Sequence, residues 1–395
     1  MILVGEDALE RLAEAVEDRP RGALVVMDEN TEAVAGGRIA AELGAETLVL
    51  SGDGHATEQA AEEVAARVSG TLVAVGSGTL TDVVRYGAHL AGCEFFSVPT
   101  AASMDGYSSG VAALERAGVK LTLPARAPAG IFADPRIAAA APAELTRAGI
   151  GDLLAKATAR VDWRAAHLLY GEEWRELPAP SPLDVEALLA GGVEAVAGLL
   201  KGLIASGTAM AEVGSSRPAS GCEHHASHLW DLLAGRGLRP RALHGLQVGY
   251  ATGFAMRLQR FAFEAGTPPP HRPQPVVEPL GDEARAWISD PPADVLAAVA
   301  EKQAMLAAVP ATWPGEERRW EELTARLKPS LDAFAGTAEA LSRAGIPDHD
   351  SGYLGIDAAM LRAGLRYGGR LRARYTVVDF LEGQELIEEA LDAAL

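Results

Sequence analysis

Over the first part of the chain, short apolar runs alternate with amphipathic stretches. GALVVMDEN (22–30), ETLVLSGDG (46–54), GTLVAVGSGT (70–79) and CEFFSVPT (93–100) are compact apolar runs closed by polar residues, glycine or proline. Runs of this length, rich in Val, Leu and Phe, predict buried strands. Between them, TEAVAGGRIAAEL (31–43), ATEQAAEEVAARV (56–68) and TLTDVVRYGAHLA (79–91) carry apolar residues at helical spacing. Strand and helix in alternation predict βαβ units and a mostly parallel sheet. VKLTLPA (119–125) and AGIFADP (129–135) predict further short strands.

From PAELTRAGIGDLLAKATARVDWRAAHLL (142–169) onward the strand pattern fades. DVEALLAGGVEAVAGLLKGLIASG (184–207) and ADVLAAVAEKQAMLAAV (293–309) have helical spacing, and GTPPPHRPQPVVEP (266–279) predicts a proline-rich loop. The pattern predicts an α/β protein, with a parallel-sheet domain over 1–145 followed by an all-helical domain over 146–395.

A chain of 395 residues is long enough for two domains with a core each. Its 48 % hydrophobic residues are dispersed, and no window approaches the roughly 18–20 uninterrupted apolar residues of a membrane span. The start, MILVGEDALERLAEAVEDR, is acidic where a signal peptide is basic. These features predict a cytoplasmic protein without membrane insertion. A formal charge of −19 argues against a nucleic-acid or anionic-membrane surface. It leaves room for a small anionic ligand, because a local cluster of donors overrides a global field. The two cysteines, Cys93 and Cys222, cannot form a disulfide framework. Cys222 reads as a small buried residue or as a thiolate ligand.

Several stretches could carry chemistry. VAVGSGTLTD (73–82) runs strand, glycine turn, helix, which lets backbone N–H groups approach a phosphate at a helix N-terminus. It is neither a full GxGxxG pattern nor a P-loop. Asp28 ends a predicted strand and reads as a ribose ligand or as a turn residue. SVPTAASMDGYSSG (97–110) is a small-residue loop after a strand, with one acid, Asp105, and hydroxyls at Thr100, Ser103, Ser108 and Ser109. Asp152 is expected to open a helix, as its N-cap or as a ligand. His244 is expected to begin a later helix. SGCEHHASHLWD (220–231) holds three of the nine histidines. His224 and His228, four apart, share one helix face, whereas His225 is turned about 100° away and reads as structural. Glu223 precedes the pair instead of following its first member, so the zinc-protease pattern is not met. Histidine with carboxylate suits zinc, iron or nickel better than magnesium.

In this order and spacing, GSGTLTD, SVPTAASMDGYSS, GDLLAK, SGCEHHASHLWD and HGLQVG resemble the sn-glycerol-1-phosphate dehydrogenases, particularly the bacterial type. That family belongs to the group of glycerol dehydrogenase, iron-containing alcohol dehydrogenases and dehydroquinate synthase. The resemblance runs nearly the whole chain, through LRARYTVVDFLE (371–382), and PTAASMDGYSS is its most specific part. It implies a Rossmann-like nucleotide-binding domain followed by a helical metal- and substrate-binding domain. It implies NAD(H) or NADP(H), with Asp28 at the adenosine ribose. Gly78, Thr79, Leu80, Thr81 and Asp82, together with Thr100, Ala101, Ala102, Ser103 and Ser109, would line the cofactor. One divalent metal, zinc or else nickel or iron, would be held by Asp152, His224 and His244. Asp105, Asp152 and His228 would meet the substrate, with His228 and Asp105 in catalytic roles.

The implied reaction is reversible reduction of dihydroxyacetone phosphate, a small phosphorylated three-carbon ketone, by a homodimer or higher homo-oligomer. Lys120, Lys156 and Arg217 are the nearest cations for its phosphate by sequence. Three features depart from the family pattern: Cys222, the longer LLAGRGLRPRAL (232–243), and LQVG where EQVG is usual. A polyol or alcohol dehydrogenase of unphosphorylated substrates, a dehydroquinate-synthase-like lyase or cyclase, and a non-catalytic nucleotide-binding protein are the alternatives.

Overall fold

The computed structural model describes residues 1–19, 22–116, 119–178, 181–264, 287–288, 291, 293–309, 316–350 and 352–395. They group into two compact units, Met1–Leu153 with Ala179–Ser215, and Leu154–Pro178 with Ser216–Leu395.

The first unit is built on eight strands: β1 (Ile2–Val4), β2 (Ala23–Asp28), β3 (Glu46–Leu50), β4 (Thr71–Gly76), β5 (Phe95–Pro99), β6 (Val111–Arg116), β7 (Val119–Pro124) and β8 (Gly130–Ala133). Six form one sheet in the order β1-β8-β5-β4-β2-β3, and every pairing in it is parallel. Alternate residues serve opposite faces. Leu24, Val26, Leu72 and Ala74 pack with Val64 and Val84 on one side. Val25, Met27, Val73 and Val75 pack with Leu12 and Ile39 on the other. Both faces are buried, which is why these strands read as unbroken apolar runs. Burying each such side chain fully contributes about 1.5–3 kcal/mol.

The structure departs from the sequence pattern at defined places. β1 is a three-residue edge strand paired to β8, too short for any periodicity to register. The predicted strand at 119–125 exists as β7, but it pairs antiparallel with the unpredicted β6 as a separate hairpin. The helical stretch 142–169 is two helices, Ala143–Leu154 and Lys156–Tyr170. Asp152 therefore lies near the end of a helix, buried, and does not open one. Gly191, at φ +72°, divides 184–207 into Val185–Leu189 and Val193–Val213. The proline-rich stretch 266–279 lies outside the described residues.

Val193–Val213 is, among the described residues, the one helix long and apolar enough to cross a membrane by length and composition, and half of its most apolar window is buried. Its Ile204 carbonyl accepts a hydrogen bond from Ser108 Oγ at 2.7 Å. The second unit has no strand among its described residues. Its helices include Cys222–Gly235, His244–Phe263, Ala293–Ala308, Ala358–Tyr367 and Val377–Gly383, packed around Trp163, Trp230, Tyr250, Phe254 and Phe263.

Two glycines let helices of the first unit close on the 97–110 loop. A Cβ on Gly149 would lie 1.9 Å from the Ala102 carbonyl oxygen, and one on Gly207 would lie 2.4 Å from that of Asp105. Gly198, by contrast, is an exposed helical glycine with open space around it. Gly149→Ala is expected to destabilise the protein by about 1–3 kcal/mol, because backbone must move. Gly198→Ala is expected to stabilise it by about 0.5–1 kcal/mol through helix propensity. Denaturant melts of the two variants check this contrast; equal shifts would refute the close-approach argument.

Candidate metal and cofactor sites

The carboxyl ends of β2, β4 and β5 lie side by side, with Gly76 registered against Pro99. The chain turns from β3 back across β2 to β4, so the crevice between β2 and β4 is the topological switch point of the sheet, where ligands bind in open α/β folds. Gly78 opens the Gly78–Ala91 helix there, and a Cβ on it would meet Met104 at 2.8 Å. The glycine keeps the turn tight against the 97–110 loop and bares its N–H groups.

The predicted cofactor residues divide by what they can offer. Thr79 is half-buried at the turn. Leu80 packs into the core and Thr81 Oγ1 donates to the Ser77 carbonyl at 2.9 Å, so both are left with backbone groups to contribute. Asp82 pairs with Arg85. Thr100 N–H donates to Gly76 O at 3.2 Å, which fastens the start of the loop to the turn. Ala101 and Ala102 are buried. Ser103 Oγ lies 3.2 Å from the Tyr107 hydroxyl, and Ser109 Oγ accepts from Val111 N–H at 3.1 Å. Asp28 caps the next turn: its Oδ1 accepts from the N–H groups of Asn30 and Thr31 and from Thr31 Oγ1. The turn-forming role is thus present, and all three bonds fall on one oxygen.

The loop is held from beneath by a residue the sequence did not single out. Arg85 has no exposed surface, and its guanidinium donates to Asp82 and to the carbonyls of Gly106, Tyr107 and Val111. Burial pushes Arg85 down from the usual arginine range, opposed by the Asp82 charge. Asp105 N–H donates to Asp152 Oδ2 at 2.8 Å, and Asp105 Oδ2 accepts from Ser206 Oγ at 2.9 Å.

In the second unit, His224 and His228 lie on the Cys222–Gly235 helix as the four-residue spacing requires, and His244 is the first residue of its helix. The His224 and His244 rings are 5.3 Å apart, edge to face, and those of His228 and His244 are 6.3 Å apart. His224 Nδ1 is bonded at 2.8 Å to Glu223 Oε1. Glu223 has no exposed surface; Thr158 Oγ1 and Gly221 N–H donate to it as well. Burial alone would push Glu223 up, but its bonds to His224 and Gly221 hold it below the usual carboxylate range. A buried carboxylate on one ring nitrogen fixes the imidazole and turns the other nitrogen outward, the arrangement of a metal-ligating histidine. Imidazole nitrogens with carboxylate oxygen form a donor set that suits zinc, iron or nickel better than magnesium.

Asp162, Cys222 and Glu223 bring ligand-type atoms within 4.8 Å of one another. Their lone pairs are committed differently. Asp162 accepts from Cys222 N–H, Gln259 Nε2 and Val377 N–H. Burial and the charges of Asp162 and Glu223 push the Cys222 thiol well up, which favours its reading as a buried residue. Among the cations expected near a phosphate, Lys156 is buried with Nζ 3.3 Å from Ala219 O. Arg217 is buried and bonded twice to Glu172, at 2.7 and 2.8 Å. Lys120 is on β7, its side chain outside the described residues. Arg85 belongs to no sequence pattern; Glu223 is visible in sequence as the acid before His224, but that pattern assigns it no role.

Comparison with known proteins bears on this arrangement. The family model of iron-containing alcohol dehydrogenases matches residues 3–142. A curated relative from Halalkalibacterium halodurans, named glycerol-1-phosphate dehydrogenase [NAD(P)+], is 36 % identical over 274 residues, covering 63 % of this chain and 68 % of the relative. One of the same name from Haloquadratum walsbyi is 37 % identical over 268 residues, covering 64 % and 74 %. A solved iron-containing alcohol dehydrogenase from Thermococcus thioreducens matches 99 % of this chain and 98 % of its own at a TM-score of 0.59 and 16 % identity, a likeness of fold. The chain belongs to the glycerol-1-phosphate dehydrogenase [NAD(P)+] family of oxidoreductases, on the iron-containing alcohol dehydrogenase fold.

Proposed function

We propose that the protein reduces dihydroxyacetone phosphate to sn-glycerol 1-phosphate with NADH or NADPH, reversibly. The observation that carries this reading is the His224 ring, locked at Nδ1 by buried Glu223 and facing His244, in a chain 36 % identical to a curated dehydrogenase of that name. The relatives' names favour it over a cyclase or an unphosphorylated-polyol enzyme.

Asp152, His224 and His244 would hold one divalent ion, for which zinc fits the donor set best, with nickel or iron as alternatives. Such an ion supplies Lewis acidity at the ketone oxygen. The nicotinamide cofactor supplies hydride. The protein's own part is positional. The turn at Gly78 to Asp82 and the loop from Thr100 to Ser103, with Ser109, would seat the cofactor, and Asp28 would take the ribose hydroxyls through Oδ2. Asp105, tied to Ser206, would orient the substrate hydroxyl. His228, on the metal face and half-buried, would pass a proton to the nascent alkoxide. A cytoplasmic homodimer or larger homo-oligomer is part of the same reading.

Metal-reconstituted protein should oxidise NADH or NADPH with dihydroxyacetone phosphate and far more slowly with dihydroxyacetone, giving the sn-1 product. Equal rates on the two ketones, or an sn-3 product, would refute the assignment. Stoichiometry without net cofactor consumption would instead support a cyclase.

His224→Ala and His244→Ala should each lose bound metal and turnover together. His228→Ala should keep most of its metal and lose turnover. Glu223→Gln should weaken metal binding about 10–100-fold, as loss of a carboxylate behind a ligating histidine does. Metal content of the purified variants decides; retention by His224→Ala would remove that residue from the ligand set.

Asp28→Ala should raise KM for NADH more than for NADPH, since a carboxylate favours a free 2′-hydroxyl over a 2′-phosphate. Unchanged KM values for both would take Asp28 out of the site.

A further inference from the structure

His225 was expected to be structural, but its surroundings are those of an incomplete binding site. The ring is 1 % exposed, yet neither nitrogen has a hydrogen-bond partner. A buried imidazole leaves both a donor and an acceptor unpaired there, which native interiors avoid. Nδ1 faces Gly369, where a Cβ would lie 3.7 Å away, so bare backbone stands in front of it.

The charges around this ring are positive. Lys302, Arg374, Arg372 and Arg217 all act on it. The 372–375 backbone ties them into one cluster: Arg217 Nη2 donates to Tyr375 O at 2.6 Å, and Lys302 Nζ donates to Arg374 O. Two are offset by carboxylates, Arg217 by Glu172 and Lys302 by Asp379. Arg374 instead donates to neutral oxygens, Ser216 Oγ at 2.6 Å and Ser220 O at 3.5 Å. Burial and the neighbouring Arg217 and Arg372 push Arg374 down to about 9, against the opposing charges of Glu172 and Glu223. Arg372 and Arg374 are half-buried, so this edge of the cluster meets solvent. Ser220 lies just before the Cys222–Gly235 helix that carries His224 and His225, so the contact of Arg374 with its carbonyl joins the cluster to the start of that helix.

We propose that His225 and Arg374, backed by Arg217 and Arg372, form the seat of the substrate's phosphate group. This rests on the reading of the protein as a dehydrogenase of a phosphorylated ketone. A guanidinium offers paired N–H groups matched to phosphate oxygens, and Arg374 has no carboxylate among its hydrogen-bond partners. The His225 N–H donates to the same group, which satisfies one of its two unpaired nitrogens. The phosphate of NADP(H) has the same chemistry, so the test separates the two sources.

Arg374→Gln is compared with wild type and Arg374→Lys, with folding checked by circular dichroism. Arg374→Gln should lower the preference in kcat/KM for dihydroxyacetone phosphate over dihydroxyacetone about 10–100-fold, the effect of losing a charge-assisted bond. Arg374→Lys should fall between it and wild type. Calorimetric binding of inorganic phosphate to the protein should weaken in parallel. If Arg374→Gln does not fold, His225→Gln provides the same comparison. An unchanged preference with unchanged phosphate binding overturns the proposal. So does a rise confined to the KM for NADPH, which would give the cluster to the cofactor. If wild type binds phosphate through Arg374 yet never turns over the ketone phosphate, the anion seat stands and the substrate reading fails.

Discussion

A carboxylate stripped of water must be given donors, and Glu223 is the clearest case in this protein. With no exposed surface it takes one bond each from Thr158, Gly221 and the His224 ring. Those bonds do three things at once. They join the Lys156–Tyr170 helix to the start of the Cys222–Gly235 helix, they hold the Gly221 turn, and they set the His224 imidazole. The turn must be glycine, because a Cβ at 221 would lie 2.8 Å from both Asp162 Oδ2 and Glu223 Oε2. Asp162 stands behind, pushed up to about 6 by burial and by the Glu223 charge. It accepts from the Cys222 and Val377 backbone and so ties in the Val377–Gly383 helix. The orientation of one ring thus follows from satisfying a few buried acids.

The first unit solves the opposite problem with a buried cation. Arg85 hangs from the Gly78–Ala91 helix and collects three carbonyls of the 97–116 region. A small-residue loop has little apolar surface to hold itself down. A fully buried guanidinium, satisfied by backbone oxygens and by Asp82, supplies that anchorage. Gly149 and Gly207 then allow two helices to close on the same loop at backbone distance. The low side-chain bulk that made the loop look permissive in sequence is the condition for this close packing.

How much of this could be read in advance follows from the range of each interaction. Strands β2, β4 and β5 were legible because both faces are buried and the apolar run is continuous. The histidine face was legible because its members are four residues apart on one helix. Asp152 was misread as a possible helix start: its GIGDLL context looks like a cap, but its carboxylate is engaged by Asp105 N–H, 47 residues away. Arg85 reaches partners 21 to 26 residues on, and Arg374 reaches back 158 and 154. Strand β1 is three residues long, and β6 alternates between buried and exposed positions on a hairpin the pattern did not separate from the sheet. Patterns within a turn or a strand are local and visible; buried-charge partners are set by topology.

The net charge of −19 also shows where global electrostatics stops being informative. Exposed acids act through water and salt and are screened within about 8 Å at physiological ionic strength. The cluster at Arg217, Lys302 and Arg374 is largely removed from that screening, so its sign is set by the few groups within bonding distance. Two of its cations have carboxylate partners and Arg374 has neutral ones. An acidic protein can therefore keep a positive interior locus, and its anionic surface does not decide which small ligand enters. The surface field governs encounter, whereas the groups within bonding distance govern residence.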